Sequence, residues 1–100
     1  MAEALVSVLI ATKDRPDDLR RTLHELHRQD YRHLEMIVID DGSAATLEPI
    51  VREEWPQAVY VRHAESAGQC QRRSEGFQVA KGEYILQLDD DSSPVAREAG

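Results

Sequence analysis

Tyr84-Ile85-Leu86-Gln87-Leu88-Asp89-Asp90-Asp91-Ser92 is a short apolar run that stops on three consecutive carboxylates. Gly82 leads into it, and Ser92, Ser93 and Pro94 lead out, so it reads as a buried β-strand bounded by turn residues. The acids then lie at the strand's carboxyl end, the end at which open parallel sheets bind ligands. Two carboxylates about 4 Å apart repel by roughly 4 kcal/mol at an effective dielectric of about 20, and a bound divalent cation relieves that repulsion. A solvated acidic turn is the alternative, because Asp and Ser are ordinary loop residues. Taken alone, the run leaves both readings open.

The preceding chain repeats the theme. Val6 to Thr12 is β-branched and apolar and runs into Lys13-Asp14-Arg15-Pro16, which predicts a central strand and then a loop. Pro16 suits the first turn of a helix, Asp17 and Asp18 suit its positive end, and Leu19, Leu23 and Leu26 form one apolar stripe. Met36 to Ile39 is a second apolar run that stops on acids, Asp40-Asp41-Gly42-Ser43. Thr46 to Trp55 has helical spacing with Pro56 as a stop, and Ala58 to Val61 is a shorter third strand near an edge. Gln69 to Lys81 reads as a helix closed by Gly82, although Gly76 weakens it. Regular alternation of strand and helix predicts an α/β fold with right-handed crossovers: a three-layer sandwich, about four parallel strands with helices on both faces.

Composition bounds the function. The chain has 100 residues and the make-up of a single small globular domain, with 41% hydrophobic and 31% charged residues. A formal net charge of −7 argues against nucleic acid as a partner, which needs a basic face. Cys70 is the only cysteine, so an internal disulfide is excluded and a reducing compartment is expected. Neither a secretion signal nor a membrane span is visible, which predicts a cytoplasmic protein or a cytoplasmic part of a longer, membrane-associated one.

In such a sheet Thr12-Lys13-Asp14-Arg15, Asp40-Asp41-Gly42-Ser43, His63-Ala64-Glu65 and Asp89-Asp90-Asp91 all fall on one side. Two independent strands ending in paired acids are harder to explain as turn composition than one. Gly42 can make the tight turn and Ser43 can cap the next segment, so part of that tetrapeptide has a structural reading. The functional reading gives one acid to a nucleobase or ribose and the distant cluster to a metal. There is no G-x-G-x-x-G after the first strand and no G-x-x-x-x-G-K-[ST], so a phosphate would need metal and basic side chains for neutralisation.

Val6 to Pro16, then Ile39-Asp40-Asp41-Gly42-Ser43, then Lys81-Gly82-Glu83-Tyr84-Ile85 closing on Asp89-Asp90-Asp91, resemble in this order family 2 of the glycosyltransferases, which have the Rossmann-like GT-A fold. The resemblance covers essentially the whole chain. It implies one domain over residues 1–100, the nucleotide-diphospho-sugar-binding half of an inverting, metal-assisted, hexosyltransferase-type enzyme. By motif position Asp41 would meet the base with Asp40 beside it, Thr12 and Lys13 would line the base pocket, and Asp89 and Asp90 would approach the nucleotide, Asp90 at the ribose. Asp91 would bind Mn²⁺ or Mg²⁺ on the diphosphate as the end of the family's D-x-D element. Arg73 falls where the family often carries an arginine near the nucleotide, though it reads equally as part of an exposed basic turn with Arg72. Ala11, Lys13 and Ser74 depart from the family's usual Pro, aromatic and Asn. The family's acceptor half and catalytic base lie well past the D-x-D element, so the catalytic base is expected beyond Gly100 and no catalytic residue is assigned within the chain. The 100 residues alone are expected to bind nucleotide rather than turn it over. The acceptor (a saccharide, lipid or protein) is not specified.

Other readings rank lower. His24 and His27 are three apart on a helix and read as solvated, Trp55 as core, and Cys70 as a small buried or half-buried side chain. Sugar-phosphate nucleotidyl transfer would want a glycine-rich first loop, which Ala11 to Arg15 lacks. A phosphoacceptor receiver would want a lysine beyond a later strand. An interaction fragment would use the Tyr84 strand as an exposed sheet edge for self-association.

Overall fold

A computed structural model describes residues 4–28 and 33–89. The elements are β1 (Val6–Thr12), α1 (Pro16–Leu26), β2 (Leu34–Asp41), α2 (Glu48–Glu54), β3 (Val59–His63), α3 (Gln69–Val79) and β4 (Tyr84–Asp89). All strand pairs are parallel, and the sheet order is β3-β2-β1-β4. The three-layer α/β architecture read from the alternation is therefore the one observed.

Side-chain alternation along the strands sorts the core into two layers. Val8, Ile10, Met36 and Val38 join Leu19, Leu23 and Leu26 of α1 and Leu47 and Val51 at α2 on one face. On the other face Leu9, Ile37 and Ile39 pack with Val59, Val61, Val79 and Ala80, beneath α3. Leu19 and Leu23 are completely buried, and each such side chain contributes about 1.5–3 kcal/mol of apolar burial. Gly76 has a packing role: a Cβ there would overlap the Leu9 methyl groups, so only glycine lets α3 approach β1 this closely.

Several sequence expectations are corrected. Among the described residues β4 pairs only with β1, and Tyr84 (64% exposed), Ile85 (38%) and Leu86 (44%) are open to solvent rather than buried. α3 ends at Val79 and not at Lys81, because Ala80 is already extended at φ −62°, ψ 137°. α2 starts at Glu48, too late for Ser43 to cap it. Its first turn is held instead by Tyr60, whose hydroxyl accepts from Leu47 N at 3.0 Å. Cys70 is exposed. His27 is no plain solvated residue, since its ring stacks on Trp55 at 4.3 Å. Trp55 is only partly buried and donates Nε1 to Leu23 O at 3.0 Å.

At the amino edge of the sheet a polar latch holds β4 in register. Ser7 donates to Glu35 Oε1 at 2.7 Å and accepts from Gly82 N at 2.8 Å, while Lys81 N donates to the same Glu35 oxygen at 2.9 Å. No helix among the described residues is long and apolar enough to cross a membrane.

Candidate functional site

The carboxyl ends of all four strands share one edge. In register, Thr12 of β1 pairs with Asp40 of β2, and Ala11 pairs with Asp89 of β4. The backbones of Asp40 and Asp89 thus flank β1, two strand spacings or roughly 10 Å apart. Strand order reverses at β1, between a branch that runs to β3 and a branch that is β4, and this is the topological position where open α/β sheets form a ligand crevice. Thr12, Lys13, Asp40 and Asp41 belong to this edge, Asp89 ends β4 within it, and Arg73 lies in α3, which starts from it. Asp90 and Asp91 lie outside the described residues, as does the rest of the chain to Gly100.

The first two loops are laced together. Asp14 takes a left-handed backbone conformation (φ 53°), which Asp tolerates better than most residues. Its N–H donates to Ser43 Oγ at 2.7 Å, and its Oδ1 accepts from Ala44 N at 2.7 Å. Lys13 stands exposed at the tip, whereas Thr12 is buried.

Asp40 is wholly buried and faces the α1/α2 side. Its Oδ2 accepts from the Tyr60 hydroxyl at 2.7 Å, its Oδ1 accepts from Ser43 N at 3.0 Å, and Arg62 Nε stands 3.9 Å away. Asp41, one residue on, faces α3. Its Oδ1 accepts from Ala67 N at 2.8 Å and Arg72 Nε at 2.7 Å, and its Oδ2 accepts from Ser66 Oγ at 2.8 Å and Gly68 N at 3.1 Å. Burial alone would push the Asp41 carboxyl up. The donors from Ala67, Arg72, Ser66 and Gly68 outweigh it and hold the group well below the usual carboxylate range. Gly42 supplies the expected tight turn at φ 82°, and a Cβ there would strike Ser66 N at 2.7 Å, so the second and third loops touch backbone to backbone.

Arg72 is the buried residue of this edge that the sequence did not single out. It is 7% exposed, and beyond Asp41 its NH2 donates to Glu65 O at 2.9 Å while NH1 lies 3.8 Å from Glu75 Oε1. Glu75 in turn meets His63 Nε2 at 2.7 Å. Arg73 is half-buried on the same helix. A usable signal was present in the spacing of Arg72, Gly76 and Val79, which places all three on the sheet side of α3. Two adjacent arginines read equally as an exposed basic turn, because charge alone does not show which of them faces the sheet.

Every buried side-chain polar atom among the described residues has a partner. Among those residues no group of three or more His, Cys, Asp or Glu could hold a metal ion. What the described part offers is a rigid, hydrogen-bonded edge with exposed Lys13, loop backbone amides and the start of an acidic run.

Comparison with known proteins agrees with this geometry. The family model "Glycosyl transferase family 2" matches residues 7–95. The chain is 37% identical over 93 residues to a hyaluronan synthase of Pasteurella multocida, covering 89% of this chain and 10% of that protein. It is 33% identical over 90 residues to the glycosyltransferase GlyG of Streptococcus pneumoniae, covering 87% of this chain and 30% of the relative. Among solved structures, a mannosyltransferase from Pyrobaculum calidifontis in complex with GDP-Man and Mn²⁺ superposes with a TM-score of 0.77 at 26% identity, covering 86% of this chain and 27% of that one. The chain thus spans a third or less of the length of each of these proteins. The family model nevertheless spans most of the chain, and the chain belongs to glycosyl transferase family 2.

Proposed function

We propose that the carboxyl edge of this sheet binds the nucleotide-diphosphate part of a sugar donor, within a protein that transfers the sugar to an acceptor hydroxyl with inversion. The observation that carries the reading is the placement of the β2 and β4 carboxyl ends on either side of β1 at the switch point of the sheet. Thr12 and Lys13 border the base, with Asp40 and Asp41 in the floor beneath them. Arg73, Asp89 and Asp90 are assigned to the nucleotide, Asp90 to its ribose, as the family resemblance implies. The mannosyltransferase neighbour holds GDP-Man and Mn²⁺, which supports a nucleotide-sugar donor and a divalent ion here. When bound at Asp91, Mn²⁺ or Mg²⁺ supplies neutralisation of the charge that develops on the departing diphosphate. Lys13 and the loop amides orient the nucleotide, and the buried bonds of Asp40 and Asp41 keep that surface from collapsing.

Calorimetric titration of UDP and GDP, in Mn²⁺ and again in chelator, tests this. Metal-dependent binding of at least one nucleotide diphosphate is expected, and Asp91→Ala removes the metal dependence. Binding of neither nucleotide under either condition rejects the reading.

A second reading rests on the exposure of Tyr84, Ile85 and Leu86. Strands of parallel sheets are ordinarily covered on both faces, and β4 has only β1 beside it among the described residues. Self-association through this edge would show as a concentration-dependent mass in light scattering, and a constant monomer mass rejects it.

A further inference from the structure

We propose that Asp14 is a positioning residue of the nucleotide site: its amide and its carboxylate clasp the loop after β2, and the clasp fixes the stance of Lys13 toward the nucleotide. The inference rests on the nucleotide-binding reading above and adds a residue that acts on the ligand only through its neighbour. Asp14 lies two residues before Pro16, where an Asp is ordinarily read as a helix cap. The N-cap position of α1 falls instead on Arg15, and no side-chain bond caps the helix. The Asp14 carboxylate is spent across the sheet edge, where Oδ1 accepts from Ala44 N at 2.7 Å while Asp14 N–H donates to Ser43 Oγ at 2.7 Å. Two bonds of opposite direction thus tie one residue to partners 29 and 30 positions away. Glycines aside, Asp14 alone among the described residues has a left-handed backbone, and such a conformation persists where its surroundings over-determine it. Ser43 is itself anchored: it is 5% exposed, its N–H donates to Asp40 Oδ1 at 3.0 Å, and its carbonyl accepts from Arg62 NH2 at 3.0 Å. The anchorage therefore runs from the first loop, through the end of β2, to β3. Lys13 stands between this clasp and Thr12, which ends β1 and is 1% exposed. Its backbone is held on both sides while its side chain is exposed. A lysine carries its three donors on a flexible stem, so a fixed backbone lowers the ordering cost of each contact it makes with nucleotide oxygens.

The test titrates UDP and GDP in Mn²⁺ into wild type, Asp14→Gly, Asp14→Ala, Asp14→Asn, Lys13→Ala and the double variant Lys13→Ala/Asp14→Gly. Amide exchange at Ala44 is followed in parallel. Glycine keeps the left-handed backbone and removes the acceptor, alanine removes the acceptor and opposes the backbone, and asparagine keeps both. Lys13→Ala is expected to weaken the bound nucleotide about tenfold. Asp14→Gly is expected to weaken it about fivefold, in the range of one lost hydrogen bond, with a larger loss in Asp14→Ala and most of it recovered in Asp14→Asn. In the Lys13→Ala background Asp14→Gly should cost no further affinity, and this separates positioning from a general effect on the fold. Exchange at Ala44 should quicken in Asp14→Gly while the amides of Val8 and Ile10 stay protected. Where Asp14→Ala fails to fold, the glycine and asparagine variants carry the comparison. A full further loss from Asp14→Gly in the Lys13→Ala background overturns the proposal, as does unchanged affinity in Lys13→Ala or unchanged exchange at Ala44. A wild type that binds neither nucleotide refutes the site reading and this role with it, whereas wild-type binding left undiminished by Asp14→Gly refutes this role alone.

Discussion

Tyr60 donates its phenolic hydrogen to Asp40 Oδ2 at 2.7 Å, joining the edge strand β3 to the carboxyl end of β2. The same oxygen of Tyr60 accepts from Leu47 N at the start of α2, so one hydroxyl serves a buried acid and a helix terminus that lacks a cap of its own. Tyr60→Phe removes both bonds and leaves Asp40 a donor short in a fully buried place. The expected cost is about 2 kcal/mol in urea unfolding, since an unsatisfied buried polar group is penalised by about 1–3 kcal/mol. Unchanged stability would mean that water replaces the hydroxyl.

Asp41 should govern the acid limb of stability. Its folded carboxyl is held below the value it has in the unfolded chain, so the folded state binds fewer protons. The stabilisation is therefore complete above the ordinary carboxylate value of about 4 and is lost as the pH falls below it. Asp41→Asn is expected to cost about 3 kcal/mol at neutral pH, as when one partner of a buried ion pair is removed. Because the variant lacks this titration, its stability should fall less steeply in acid than that of wild type. Parallel slopes below pH 4 would contradict the assignment.

Gly76→Ala should destabilise although alanine is the better helix former by about 1 kcal/mol. The new methyl would overlap Leu9, and overpacking of this kind costs about 1–3 kcal/mol. Leu9→Ala, costly by itself, should remove that overlap, so the double variant is expected to be more stable than the sum of the two singles. Strict additivity in thermal unfolding would show that α3 shifts freely.

Gly42→Ala combines a left-handed backbone with a Cβ that meets Ser66 N. Neither problem can be relieved by a side-chain rotation. The expected result is a loss of about 2 kcal/mol and weakened nucleotide binding. Retained affinity would separate the second and third loops from the site.

Much of the architecture was legible. The runs Val6 to Thr12 and Met36 to Ile39, each ending in polar residues and separated by a leucine-striped helix, leave little choice but parallel strands with crossovers. Burial was less legible. Tyr84-Ile85-Leu86 has the composition of an internal strand, and composition cannot reveal which strands end up at an edge. In the site, the acids could be placed on one side of the sheet from topology alone, but their partners could not. Ser66, Ala67, Gly68 and Arg72 reach Asp41 from more than twenty residues away, and only the packing of α3 on β1 brings them there. The glycine that appeared to weaken α3 is the residue that permits this packing.

The account as a whole requires nucleotide to bind at the carboxyl edge of the sheet. Two-dimensional amide spectra recorded while UDP or GDP is added in Mn²⁺ address this directly. Shifts are expected to concentrate at Lys13, Asp14, Gly42, Ser43, Ala67 and Gly68, with Leu5, Glu35, Lys81 and Gly82 at the opposite edge unmoved. Perturbations centred on that amino-edge latch would contradict the account.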